Sequence, residues 1–135
     1  MKILSVLLSL ILLVGCTPIS DSNSKDDQVQ QITYKQISED EALKFMQENN
    51  GYIILDVRTK EEFAEKHIPG AINIPNEVIG NDEIEELTDK EQLIMVYCRS
   101  GNRSKQASEK LVKLGYTNIV EFGGINNWNG ETVSE

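Results

Sequence analysis

Cys98 stands in the run Tyr97-Cys98-Arg99-Ser100-Gly101-Asn102-Arg103-Ser104, directly after the apolar stretch Leu93 to Val96 and directly before a helix-like pattern. A single thiol therefore falls where a strand hands over to a helix. A cysteine near its reference pKa of about 8.5 is only a few per cent thiolate at neutral pH, so a nucleophilic one needs groups that stabilise negative sulfur. The flanking residues supply them. Backbone N–H groups from Arg99 to Ser104 can curl round the sulfur as an anion nest, with Gly101 and Asn102 tolerating the positive φ that such curling requires. A helix beginning near Arg103 adds its unpaired N–H groups and the positive end of its dipole. Arg99, Arg103 and Lys105 place three cationic side chains close together in an otherwise acidic chain. The pattern predicts an ionised, accessible sulfur in a site that attracts anions locally.

The elements that must carry this loop are legible as alternating apolar runs and amphipathic stretches from Ile32 onward, the pattern of a parallel sheet covered by helices. Ser38-Glu39-Asp40-Glu41 fits a capping box; Ala42, Phe45 and Met46 then form one apolar face until Asn50-Gly51 ends the helix. Tyr52-Ile53-Ile54-Leu55 reads as a strand buried on both faces and runs into Asp56-Val57-Arg58. Thr59-Lys60-Glu61-Glu62 repeats the capping pattern and opens a short helix that stops before Ile68-Pro69-Gly70. Ala71 to Ile74 is a short strand, and Asn76 to Leu87 carries a weaker, acidic helical pattern. Leu93 to Tyr97 is the clearest central strand. Ala107, Leu111 and Leu114 recur at helical spacing and Gly115 supplies a stop, giving a helix from about Arg103 to Leu114. Asn118 to Phe122 is the last strand, and Gly123-Gly124 followed by Trp128 offers a glycine turn and a final short helix.

The chain has 135 residues, 39% of them hydrophobic, which is enough for one domain with an ordinary core. Its formal charge is −9, becoming −10 once residues 1–15, with Lys2 as their only charge, are set aside. That sign argues against nucleic acid or an anionic membrane surface as a partner. Ile3 to Val14 is an apolar run too short to span a bilayer core, which needs roughly 20 residues, and it reads as a signal peptide over residues 1–15. Its end, Leu13-Val14-Gly15-Cys16, resembles the lipobox of bacterial lipoproteins, in which the cysteine is acylated and becomes the mature N-terminus. Cys16 is thus the expected lipidation site, and an exported, extracytoplasmic protein anchored to a bacterial membrane is the expected localisation. An ordinary secretory signal with a coincidental cysteine is the competing reading. Thr17 to Gln31 is almost wholly polar and reads, with Cys16, as a tether over residues 16–31, its coil spanning roughly 20 Å. Residues 32–135 are the expected globular domain.

The loop Cys98-Arg99-Ser100-Gly101-Asn102-Arg103-Ser104 resembles the active-site loop of the rhodanese family. Leu55-Asp56-Val57-Arg58, Glu62-Phe63 through His67-Ile68-Pro69-Gly70-Ala71-Ile72-Asn73-Ile74-Pro75, and Gly123-Gly124 with Trp128 agree with it in order along the chain. The resemblance covers roughly Ile32 to Asn129. It implies an α/β fold, a parallel five-stranded sheet flanked by helices on both faces, and a sulfurtransferase activity. Cys98 would take the outer sulfur of thiosulfate or a similar small anionic donor as a persulfide and release it to cyanide, a thiol or a protein acceptor. Arg99, Ser100, Gly101, Asn102, Arg103 and Ser104 would bind the substrate. Arg103, at the helix start, could equally brace the loop by pairing inward. Four residues separate Cys98 from Arg103, one fewer than in related phosphatases and arsenate reductases, whose wider cradle suits a tetrahedral oxyanion.

Other tempting residues carry plainer readings. His67, the only histidine, lies at a helix end, where capping or turn stabilisation suits it better than a general-base role. Asp56 and Arg58 could border the crevice at the carboxyl edge of the sheet but are read as a supporting ion pair. Trp128 reads as core, and Asn81 to Glu86 as a solvated helix face. Neither zinc-ligand spacing nor a phosphate-binding glycine motif is present, so no metal or other cofactor is expected. Two other functions compete: a sulfur-carrier or partner-docking module at the membrane surface that does not turn over, and a thiol redox protein. The latter has no Cys-x-x-Cys pair and would need an outside thiol.

Overall fold

The computed structural model describes residues 15, 33–80 and 82–135. The expected signal peptide, the lipidation site Cys16 and the tether lie outside these apart from Gly15. Five strands, β1 Lys35–Gln36, β2 Tyr52–Asp56, β3 Ile72–Asn73, β4 Leu93–Cys98 and β5 Ile119–Gly124, form one sheet in the order β1-β5-β4-β2-β3. Every pairing is parallel. The helices are α1 Glu39–Glu48, α2 Lys60–Glu65 and α3 Asn102–Lys113, with single 3-10 turns at Asn76–Val78 and Ile125–Asn127.

Both predicted capping boxes form. Ser38 Oγ accepts from the Glu41 N–H while the Glu41 carboxylate accepts from the Ser38 N–H, and Thr59 and Glu62 repeat the exchange at α2. Each pair satisfies donors that a helix N-terminus otherwise leaves open.

Side chains of β4 alternate between two cores, as a strand covered on both faces requires. Ile94, Val96 and Cys98 pack with Leu55, Val57, Ala107, Leu111, Tyr116 and Ile119 on the α3 side. Met95 and Tyr97 pack with Ile54, Phe122 and Ala42 on the α1 side. Helices therefore cover both faces of the sheet.

Residues 76–87 depart from the expected helix. After the turn at Asn76–Val78 the described residues form bends and turns, so the expected helix is absent among them, while Asp82, Glu83, Glu85 and Glu86 are solvent-exposed as expected. Ile79, Ile84 and Leu87 are instead buried one by one under the α3-side core, a spacing set by an irregular chain crossing that surface. The Leu87 carbonyl accepts from Tyr116 Oη at 2.6 Å, anchoring the segment.

Candidate active site

Because β2 leads away to β3 on one side and β4 to β5 on the other, a crevice opens between the carboxyl ends of β2 and β4, the usual ligand position in open α/β sheets. Cys98 ends β4 and Asp56 ends β2. The β4–β5 register shifts between Val96 and Cys98, so that Cys98 faces Gly124. Gly124 cannot be another residue: a Cβ there would overlap the Arg99 carbonyl and the Ser100 amide. The glycine lets the loop that follows Cys98 lie directly on β5.

The sulfur accepts the Gly101 N–H at 3.0 Å, and Gly101, at φ +107°, holds the left-handed conformation that starts α3. Two features differ from the sequence expectation. Only the Gly101 amide reaches Sγ within hydrogen-bond distance, and Asn102 is already the first helical residue, not a second left-handed one. In addition, Cys98 is 1% exposed, so the expected accessible sulfur is instead buried beneath the loop. Arg99, Ser100 and Asn102 are exposed above it, and Ser104 is fully buried beside it with Oγ 3.4 Å from Sγ.

Arg103 points inward. Its two terminal nitrogens donate to the two oxygens of Glu62 at 2.7 and 2.9 Å, fixing the first turn of α3 to α2. This fork geometry pulls the Glu62 carboxyl down from its ordinary 4.5 to about 2, chiefly through the Arg103 hydrogen bonds, with the Thr59 amide assisting. Arg103 is raised by the same carboxylate and, more weakly, by the charge of Cys98. Of the two readings open for Arg103 in sequence, substrate contact and inward bracing, this geometry has the brace. Glu62 read in sequence only as a capping residue; its second role had no local signal, because its partner is 41 positions away.

Arg58 and Asp56 form the expected ion pair, with Nη2 2.6 Å from Oδ2 and both side chains buried. Burial works against the Arg58 charge, and the Asp56 carboxylate more than offsets it. Arg58 also donates to the Lys66 carbonyl, holding the chain beyond α2. His67 packs flat on Phe63 with ring centroids 3.7 Å apart, places Nδ1 2.7 Å from the Phe63 carbonyl, and pairs its backbone with Val133. These contacts are structural ones. Trp128 tilts against Phe122 and donates to the Glu131 carbonyl.

Beside the loop lies a cleft of about 270 Å³ walled by Arg58, Glu62, Glu65, Lys66, Arg99, Ile125 and Asn126. Of the three cations flagged in sequence, only Arg99 faces it; Lys105 is exposed elsewhere. Arg99 and Lys66 form no ion pair among the described residues. No cluster of potential metal ligands occurs among the described residues.

Sequence reasoning also missed Glu121. It is 2% exposed, its Oε1 accepts from Ser104 Oγ at 2.6 Å and from the Gly123 N–H at 2.8 Å, and Oε2 accepts from Gln36 at 3.3 Å. The signal was present: a carboxylate stands alone inside the apolar strand Ile119-Val120-Glu121-Phe122.

A parallel α/β domain that seats a cysteine loop between strand and helix at its topological switch point defines the class. The chain belongs to the rhodanese-like domain family, whose family model matches residues 38–131. It is 38% identical over 71 residues to the thiosulfate sulfurtransferase PspE of Escherichia coli, a match covering 53% of this chain and 68% of that protein. It is 32% identical over 96 residues to the thiosulfate sulfurtransferase GlpE of Coxiella burnetii, covering 70% of this chain and 87% of that one. The crystal structure of a rhodanese-like domain protein from Staphylococcus aureus superposes with a TM-score of 0.65 at 31% identity, covering 75% of this chain and 98% of the other. Fungal adenylyltransferase and sulfurtransferase proteins named UBA4 match too, but this chain spans only 21 or 22% of their length.

Proposed function

We propose that this protein is a rhodanese-type sulfurtransferase that carries sulfane sulfur on Cys98. The observation that carries the reading is the sulfur at the carboxyl end of β4, held by the Gly101 N–H at 3.0 Å beneath a loop of rhodanese length and sequence. In the first step the Cys98 thiolate attacks the outer sulfur of thiosulfate. A new S–S bond forms at Cys98, the old S–S bond breaks, and sulfite leaves with its electron pair. In the second step cyanide, a thiol or a protein acceptor takes the terminal sulfur, and the thiolate is restored. A persulfide bears its charge on the outer sulfur, one bond further from Cys98, in the loop whose residues Arg99, Ser100 and Asn102 are exposed. Arg99 and Lys66, without ion-pair partners among the described residues, supply positive charge at the cleft for a dianionic donor. The names of PspE and GlpE favour a turning-over enzyme above a passive sulfur carrier.

The test is direct. Thiosulfate treatment should add one sulfur atom to the Cys98 peptide, seen by mass spectrometry, and cyanide should remove it as thiocyanate. Cys98→Ser should lose both adduct and turnover; a variant that keeps full activity would refute the assignment.

The same proposal includes a place of work. The apolar run before Gly15-Cys16 supports export and acylation of Cys16, which would anchor the domain outside the cytoplasm. Fatty-acid labelling in cells should mark the protein and fail in Cys16→Ser; equal labelling of both excludes the anchor.

A further inference from the structure

The Ser104 hydroxyl carries one proton and has more acceptors than it can serve: Glu121 Oε1 at 2.6 Å, the Gly101 carbonyl at 2.9 Å and the Gly123 carbonyl at 3.3 Å, with Cys98 Sγ at 3.4 Å. The shortest of these lies in the range of a hydroxyl bonded to a carboxylate. With its proton turned to Glu121, Ser104 Oγ presents a lone pair to Cys98, and the thiol S–H is the donor across the 3.4 Å contact. All three residues are buried, at 1% exposure for Cys98, 0% for Ser104 and 2% for Glu121. A thiolate formed there beside an ionised Glu121 would put two negative charges in one low-dielectric pocket, which is strongly disfavoured.

We infer that Glu121 is a positioning residue that holds the Cys98 proton through Ser104. The Cys98 S–H bond breaks as an O–H bond forms at Ser104 Oγ, and the former Ser104 proton bonds to Glu121 Oε1. No electrons are exchanged; one negative charge moves from carboxylate to sulfur, and the pocket keeps the same total charge throughout. The Gly101 N–H then stabilises the sulfur that has gained the charge. The inference rests on the reading of Cys98 as a nucleophile and adds where its proton goes.

The surroundings fit a pocket with a fixed charge. From α3, Arg103 lies near Cys98 but is engaged by Glu62 of α2. From α1, the Glu39 carboxylate accepts the Gly124 N–H at 3.2 Å. Tyr34, just before β1, is raised by burial and by the charges of Glu109 and Glu121. Gln36 of β1, in register with Glu121, contributes an uncharged donor, and Lys35 is paired with Val120, on the opposite face of β5. No cation is bonded to Glu121 among the described residues.

The test is the pH profile of Cys98 alkylation by iodoacetamide in the full-length protein, read on the Cys98 peptide so that Cys16 does not interfere. Internal transfer makes the thiolate fraction independent of pH while the pair holds a single proton, so the wild-type rate should be nearly flat through the neutral range. Glu121→Gln keeps the hydrogen-bonding shape but cannot take the proton, so its rate should rise about tenfold per pH unit. Ser104→Ala removes the hydroxyl that bridges the two groups but leaves both of them in place, so it should lower the plateau rate without tilting it, since a proton equilibrium depends on its two sites and not on the path between them. A wild-type rate that itself climbs tenfold per unit overturns the inference. So does a Glu121→Gln variant that reacts faster than wild type with an unchanged profile, the signature of a carboxylate that merely repels the thiolate. If Glu121→Gln does not fold, Ser104→Ala decides: a plateau at the wild-type rate refutes the bridge and a lowered one supports it. Sulfur loading by thiosulfate is scored separately, so a failed relay and a failed sulfurtransferase assignment give different results.

Discussion

Replacing Glu62 by glutamine tests whether α2 and α3 are clamped by charge. Glutamine keeps an oxygen to accept the Thr59 N–H, so the capping box survives while the fork to Arg103 loses its charge. The fall of the Glu62 carboxyl from 4.5 to about 2 corresponds to about 3 kcal/mol if fully realised. The two side chains are 22% and 28% exposed, and solvent screening reduces the expected loss to roughly 1–2 kcal/mol. The direction with pH follows from the sign: a carboxyl held below its ordinary value stabilises the fold above about 4.5, and that stabilisation fades as the pH drops toward 2. Urea unfolding of wild type and Glu62→Gln should therefore differ most near neutrality and converge in acid, with the neutral difference shrinking in high salt. A difference that persists unchanged in acid, or is absent near neutrality, would show that the fork contributes shape and not charge.

Gly124→Ala should displace the loop against β5, because its Cβ meets the Arg99 carbonyl; thiosulfate-dependent turnover should fall at least about a hundredfold even where circular dichroism shows a folded domain. Arg99→Ala, at an exposed position without a described ion-pair partner, should leave unfolding unchanged and raise KM for thiosulfate several-fold while KM for cyanide changes less. Asp56→Asn leaves the Arg58 guanidinium buried without its counter-charge and should cost about 3 kcal/mol in denaturant unfolding.

What could be read from sequence was local or periodic. The capping boxes at Ser38 and Thr59, the buried strands at Tyr52 and Leu93, and the helix after Cys98 each announce themselves within a few residues, and all are present. The five-stranded sheet itself came from the family resemblance: β1 has two exposed residues, Lys35 and Gln36, and only its pairing with β5 makes it a strand. The segment from 76 to 87 misled because buried Ile79, Ile84 and Leu87 fall at intervals a helix can mimic, while a tertiary surface dictates them. At the site, the sulfur and its loop were legible, but their supports were not. Glu62 and Glu121 act on α3 across 41 and 17 positions, distances at which sequence spacing carries no information.

Parallel pairing throughout the sheet gives the domain a polarity. All five strands start at one edge and finish at the other, and the chain enters through β1 at the starting edge, while Cys98 sits where β4 finishes. The six residues of β4 alone separate the two edges by about 20 Å. The chain that enters β1 at Lys35 and the loop that follows Cys98 therefore lie at opposite edges of the sheet, the whole length of a strand apart.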